Sequence, residues 1–421
     1  MASSAAKRGL KQILQKSPDD VVIVSALRTP FGRFRGVLKD TYPEELLGHV
    51  LKATRERLEK QGVDVAGGAV NDILTGTVLM ELGGAKAGRL AALDAGFPVA
   101  TTFRTVNRQC ASSLEAISVT AASIQTGAID VAIAAGTESM TKNYGTRAIP
   151  ADLSPYLKKS SSSDARDCIM PMLGTSENVA DDYGITRARQ DDFAARSHQK
   201  AAKAADAGLF ADEIVPITVR FDETPKGTEA EGLEPKMVEK RVTRDEGIRP
   251  TATAESMAKL KPAYREDGAS TAGNSSQISD GASAVTLARR SVAEKLGLKP
   301  IARYIGTTVV GVPPRVMGVG PAFAVPALLE RFGLSQSEVD LWELNEAFAS
   351  QALMTIDHLK LDESKINLKG GAIALGHPLG ATGGRLAATL ISDLHRTGGQ
   401  VGVATLCCGT GMGHATLFVA E

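Results

Sequence analysis

Asn107-Arg108-Gln109-Cys110-Ala111-Ser112-Ser113 is the stretch on which the fold turns, because of the small residues that follow it. Ala111, Ser112, Ser113, Ala116, Ser118, Thr120, Ala121, Ala122 and Ser123 put small side chains on every face of a helix predicted from Cys110 to Thr126. Such a helix suits burial between layers and not a place on the surface. Apolar runs flank it: Val21–Val24 and Asp72–Gly76 before, Asp130–Gly136 after. The last third repeats the order with Ile301–Ile305, Asp340–Asn345, a helix entered after His377 and running to about His395, and Val401–Leu406 as the last strand. The same order, with a reactive residue at the matching helix entrance, predicts an internal duplication. Strands alternating with helices predict two α/β halves with mostly parallel or mixed sheets.

Three reactive side chains lie in turns after apolar runs. Cys110 stands at a helix entrance, where the dipole and free N–H groups are expected to lower the thiol pKa and favour thiolate. A single cysteine is ordinarily an inert buried thiol; the placement favours a nucleophile here. His377 lies between Gly376 and Pro378, with Gly380, Gly383 and Gly384 close behind, so backbone can approach a ligand there. An imidazole is the usual base for a Cys nucleophile. Cys407 is expected where its strand ends, beside Gly409, Gly411 and Gly413, whose N–H groups can gather as an oxyanion hole. Its neighbour Cys408 is an alternative working thiol, and period-two alternation lets only one of the pair face Cys110.

Composition sets bounds. At 421 residues the chain exceeds one ordinary core. The 48 basic and 48 acidic side chains balance, so no bulk field argues for nucleic acid or a membrane surface. Four cysteines, Cys110, Cys168, Cys407 and Cys408, form neither a disulfide framework nor a metal-ligand spacing, which suits a reducing compartment. No apolar stretch approaches the roughly 18 to 20 residues that span a bilayer.

Residues 1–18 read as a targeting segment: Lys7, Arg8, Lys11 and Lys16 without an acidic residue, with Leu10, Ile13 and Leu14 on one helical face. The alternative is a frayed basic terminus. Residues 19–298 form the first half and 299–421 the second. A stretch from about 141 to 270 breaks the rhythm with a serine run at Ser160–Ser163, a helix predicted over Gln190–Ala207 and a polar segment near 222–250, and is expected to be an inserted loop domain.

Asn107-Arg108-Gln109-Cys110-Ala111-Ser112-Ser113, Asn345-Glu346-Ala347-Phe348-Ala349, Gly376-His377-Pro378 and Cys407-Cys408-Gly409-Thr410-Gly411 resemble, in order, the four signature motifs of thiolases. The resemblance runs from about residue 20 to the C-terminus. Pro171–Asn178, Thr271–Ser276 and Val316–Pro321 are most similar to the peroxisomal branch acting on 3-ketoacyl-CoA. It implies an α/β fold of two βαβαβαββ halves stacked in five layers, α-β-α-β-α, and a tight homodimer.

The resemblance also implies a chemistry. Cys110, deprotonated by His377, attacks the C3 ketone; the Cα–Cβ bond breaks and Cys407 protonates the departing acetyl-CoA carbanion. Coenzyme A, a substrate and not a permanent cofactor, then gives its thiol proton to Cys407 and takes the acyl group from Cys110. His377 with a water held by Asn345 stabilises the enolate, and the N–H groups of Cys110 and Gly409 stabilise the tetrahedral adducts; no metal is required. Coenzyme A contacts map onto Arg249, Ser256, Ser276, Met172, Tyr264 and Phe348. Leu173 stands where the family has Gly, which bears on acyl-pocket shape. An acetoacetyl-CoA thiolase running in the condensing direction is the alternative activity, and a non-catalytic lipid-binding or scaffold member the alternative without one. A decarboxylating ketosynthase would have a second His in place of Asn345, and a hydroxymethylglutaryl-CoA synthase a Glu as acid/base.

For location the resemblance implies the peroxisomal matrix. Arg8 and Gln15 have the spacing of the ends of an N-terminal peroxisomal targeting nonapeptide, read by an import receptor. Gly9 and Lys16 depart from that pattern, and Val419-Ala420-Glu421 is no Ser-Lys-Leu address. Mitochondrial import is the alternative. Residues 1 to about 17 are expected to be dispensable for activity.

Overall fold

The computed structural model describes residues 9–150, 152–224 and 236–421. Its strands are β1 (Val21–Arg28), β2 (Gly32–Arg33), β3 (Asp72–Gly76), β4 (Thr102–Val106), β5 (Val131–Ser139), β6 (Ile217–Asp222), β7 (Met237–Val242), β8 (Ser279–Arg289), β9 (Ala302–Gly311), β10 (Leu341–Leu344), β11 (Val401–Cys408) and β12 (Met412–Ala420). Except for the β6–β7 hairpin, they join in the order β10-β11-β12-β9-β1-β8-β5-β3-β4, with β2 beside β8.

The duplication is visible in the pairing. In the first half β3 runs parallel to β4 and β5, β5 antiparallel to β8, and β8 antiparallel to β1. In the second, β10 runs parallel to β11, β11 antiparallel to β12, and β12 antiparallel to β9, with a parallel bridge from Trp342 to Ile366 where β4 would have its counterpart. The halves meet along β1 and β9, at Val21–Ile23 against Ala302–Tyr304.

Alternation along the strands then builds the layers. Val21, Ile23, Leu74, Ala134, Leu287, Ala404 and Leu406 turn inward onto the helices Ser112–Gln125 and Thr382–Thr397. Val22, Val24, Ile73 and Ile133 turn outward beneath the Pro43–Lys60 helix. Trp342, Leu344, Val401 and Val403 turn outward beneath Gly320–Phe332 and Ala349–Leu359. The result is helix, sheet, central helices, sheet, helix. Small residues are what let the central pair touch: a Cβ on Gly383 would lie 2.3 Å from the Leu114 nitrogen.

Two strand expectations are corrected. β11 continues through Cys408, so neither Cys407 nor Cys408 lies beyond the strand, and β12, not β11, is the last strand. The hairpin closes over Gly409–Gly411, pairing Cys407 with Gly413 and Cys408 with Met412.

The N-terminal segment also departs from a free leader. From Gly9 to Leu14 it is helical, Ile13 is 2 % exposed in the second-half core, and Leu10 and Leu14 pack beside it. Arg303 donates to the carbonyls of Leu14 and Gln15. The face expected for receptor recognition is therefore packed against the body; Arg8 lies outside the described residues. In the inserted stretch, the Arg187–Asp206 helix reaches the turn that carries His377, where Ala201 and Ala204 pack with Ala374 and Leu375.

Candidate active site

The turn that carries Cys110 is strained and locked. Gln109, immediately before Cys110, has φ 50°, a left-handed conformation costly for a residue with a Cβ. Asn107 Oδ1 accepts from Gln109 N at 2.9 Å, while Ser112 Oγ accepts from Arg108 N at 3.0 Å and donates to the Gln109 carbonyl at 2.6 Å. These bonds explain why Asn and Ser flank the cysteine. They hold the turn beneath the thiol, and Gly409 of the second half lies against it, a Cβ there falling 3.4 Å from Gln109 Oε1.

Cys110 is only half-buried by its exposed area, yet desolvation of its sulfur pushes the thiol up to about 11; the N–H groups of Gly409 and of Cys110 itself pull it down, and the Glu138 charge raises it further. The expectation of a depressed thiol pKa is thus corrected. A helix terminus supplies about 0.3–1 kcal/mol, whereas desolvation shifts a buried group by up to several units, each worth about 1.4 kcal/mol. Burial likewise raises the Cys407 thiol, with Cys110 adding to it.

His377 is 3 % exposed. Gly376, with φ 106°, makes the turn before it, and a Cβ there would lie 2.4 Å from Ser279 Oγ, which accepts from His377 N at 3.2 Å. Its ring is oriented by Thr382, a residue not singled out in the sequence. The Thr382 hydroxyl donates to the Pro378 carbonyl at 2.9 Å, so its lone pair accepts from His377 Nδ1–H at 2.7 Å. This network assigns the proton to Nδ1 and leaves Nε2 as the basic atom. Burial, and secondarily the Arg385 charge, lower the imidazole to about 3. Thiol and imidazole are therefore both neutral near neutral pH.

Asn345 Nδ2 lies 3.5 Å from His377 Nε2, and among the described residues its buried Oδ1 has no partner. An orphan acceptor beside a basic nitrogen suits a water or a substrate group. Glu346 anchors this motif, accepting from Ser197 Oγ at 2.6 Å and Asn367 Nδ2 at 2.9 Å.

Alternation separates the adjacent thiols. Cys407 packs with Met317, Ala347 and Phe348, bordered by Met172 and Leu173, whereas Cys408 turns into the central helix layer. Of the positions mapped for coenzyme A, Met172 and Phe348 thus meet around Cys407. Tyr264 lies over Gly174, whose Cβ would be 2.9 Å from the ring, and Ser276 N donates to the Ala347 carbonyl. Arg249 and Ser256 lie apart, exposed on the inserted stretch. Among the described residues the Arg249 guanidinium forms no ion pair, while the Ser256 hydroxyl is engaged in a helix cap with Thr253. No group of three His, Cys, Asp or Glu side chains is gathered as a metal would require, again among the described residues.

Residues 21–291 match the thiolase N-terminal domain and residues 298–420 the thiolase C-terminal domain. A peroxisomal 3-ketoacyl-CoA thiolase of Yarrowia lipolytica is 48% identical over 98% of this chain and 96% of its own length. The human peroxisomal 3-ketoacyl-CoA thiolase is 46% identical over 96% of this chain and 92% of its own. The crystal structure of the dimeric peroxisomal thiolase of Saccharomyces cerevisiae superposes with a TM-score of 0.88 at 43% identity, covering 98% of this chain and 100% of that one. A Bacillus anthracis acetyl-CoA acetyltransferase superposes with a TM-score of 0.83 at 38% identity, over 96% and 99%.

Proposed function

Because the chain belongs to the thiolase family, we propose that Cys110, His377, Asn345, Cys407 and Gly409 carry out its acyl transfer. The enzyme is an acyltransferase that cleaves 3-ketoacyl-CoA with coenzyme A, giving acetyl-CoA and an acyl-CoA two carbons shorter, in the β-oxidation of the peroxisomal matrix.

The carrying observation is that Gly409 lies against Gln109, the residue before Cys110, a Cβ there falling 3.4 Å from Gln109 Oε1, which joins the Cys110 turn of one half to the turn beside Cys407 in the other. As Cys110 attacks the ketone, its proton passes to His377 Nε2. The tetrahedral oxyanion is held by the Cys110 and Gly409 N–H groups, each donor worth roughly 3 kcal/mol by deletion. The leaving carbanion takes a proton from Cys407, and the enolate oxygen is met by the protonated Nε2 and a water on Asn345. Coenzyme A returns its proton to Cys407 and attacks the thioester. Burial raises the Cys407 thiol, so it rests protonated, in the form that the proton donation to the carbanion needs.

Arg249, with its free charge, is assigned to the phosphates of coenzyme A, and Met172, Leu173 and Phe348 to the pocket wall. The chain is organised as residues 19–298 and 299–421, with the insert at about 141–270. A second copy docks along β4, the sheet edge, flanked by the exposed apolar Leu82, Leu90 and Val99. Residues 1–18 are read by an import receptor before Ile13 and its neighbours pack down.

The test is thiolysis of acetoacetyl-CoA and of longer 3-ketoacyl-CoA esters, followed by loss of the enolate absorbance. Turnover of the longer esters is expected; activity confined to acetoacetyl-CoA would favour the condensing acetyltransferase.

A further inference from the structure

Glu138, at the end of β5, is wholly buried and, among the described residues, faces no cation at ion-pair distance. Its Oε2 accepts from Val78 N at 2.9 Å and from Gly380 N at 3.1 Å; its Oε1 accepts from Leu79 N at 3.1 Å and Thr77 Oγ1 at 3.4 Å. All the partners are donors, which is the surrounding of an ionised carboxylate. Burial nevertheless pushes the carboxyl up to about 7 against those bonds.

Two catalytic turns meet at that one oxygen. Gly380 closes the turn that carries His377. Val78 leads to the other: its carbonyl accepts from Asn107 Nδ2 at 3.4 Å, and Asn107 holds the Gln109 nitrogen immediately before Cys110. The packing leaves no slack, since a Cβ on Gly380 would lie 2.4 Å from the Thr137 carbonyl oxygen and 2.7 Å from that of Gly76. We propose that Glu138 is a positioning residue of this enzyme, a carboxylate clamp that sets the Cys110 turn of the first half against the His377 turn of the second. The clamp rests on geometry, and on the thiolase reading for its effect on turnover; an effect of the Glu138 charge on the Cys110 thiol is a secondary consequence, read separately.

Removing the charge and shortening the clamp separate its two roles. Besides Glu138, the titratable groups that act on or feel Cys110 are Tyr144, Cys407 and Cys408; next along β5 from Glu138, Ser139 pairs with Asp280 of β8, which faces Lys142 in the helix after β5.

Glu138→Gln sets an NH2 group against N–H donors and removes the charge. Its kcat is expected to fall roughly 10- to 100-fold with KM little changed, while iodoacetamide alkylates Cys110 faster at fixed pH, roughly tenfold for each unit by which the thiol pKa drops. Glu138→Asp keeps the charge but is a methylene short: kcat falls, and alkylation stays near wild type. Asn107→Ala breaks the same link at an exposed position, so it tests the clamp even if the Glu138 variants do not fold; it too should lose kcat and not KM.

A kcat within about twofold of wild type in Asn107→Ala and Glu138→Asp would overturn the clamp. Unchanged or slower alkylation in a folded Glu138→Gln would overturn the charge effect. Alkylation needs no thiolase substrate, so failure of the wild-type thiolysis assay would strike the functional reading and leave this inference standing.

Discussion

The two central helices begin alike and end in different chemistry. Ser112 and Thr382 are both first helical residues, each after an Ala cap, and each hydroxyl makes two bonds. Ser112 spends both on backbone, at Arg108 N and the Gln109 carbonyl, holding a left-handed residue under the thiol. Thr382 spends one on backbone and the other on the His377 ring. A duplicated scaffold thus delivers two like helix entrances, and the partner of one hydroxyl decides whether the entrance holds the turn under a thiol or sets the tautomer of a ring.

The sharpest way to break the comparison is to exchange the nucleophile. Cys110→Ser should lower turnover by roughly 1,000-fold or more and leave no thioester by intact mass, with circular dichroism unchanged. A thioester on that variant would move the nucleophile elsewhere.

Next in size is the pair of thiols on opposite faces of β11. Cys407→Ala should cost about 100- to 10,000-fold in kcat. Cys408→Ala, in the central layer, should cost only about 1 kcal/mol of stability, read as a lower melting temperature at near-normal kcat. Activity tracking Cys408 would reverse the assignment of faces.

Thr382→Val tests the tautomer: kcat should fall roughly 10- to 100-fold, and Thr382→Ser should restore it. If Val were as active as Ser, the hydroxyl would have no part in orienting the ring.

The pH dependence compares burial with the helix entrance directly. With the Cys110 thiol near 11, the neutral form persists through neutral pH. Alkylation of free enzyme should therefore climb about tenfold per pH unit beyond pH 9; a plateau below about pH 8 would mean the dipole wins. The linked stability has the same sign, because a thiol whose folded pKa lies above its ordinary 9.0 contributes stability below pH 9 that is lost as pH rises toward 11.

The smallest effect concerns the amino terminus. Deleting residues 1–8 should leave the melting temperature unchanged, whereas deleting residues 1–16 removes buried Ile13 and should cost about 2 kcal/mol. Equal melting temperatures would mean that the packing of Ile13 adds nothing to stability; the expectation that residues 1 to about 17 are dispensable for activity is read separately, from kcat of the same deletions.

Much was legible along the chain because it is local. Small residues on every face of 111–123, repeated strand order and glycines beside Cys110, His377 and Cys407 are short-range signals, and they carried the duplication, the layering and the reactive trio. Strand alternation likewise split Cys407 from Cys408. Glu138 and Thr382 escaped notice because each is an ordinary residue type in an unremarkable local pattern; their importance comes from partners far away in sequence, Gly380 for one and the His377 ring across a turn for the other. The direction of the thiol shift was beyond reach for the same reason. A helix entrance can be read from neighbouring residues, but desolvation depends on what the rest of the chain packs over the sulfur, and burial is a property of the whole fold.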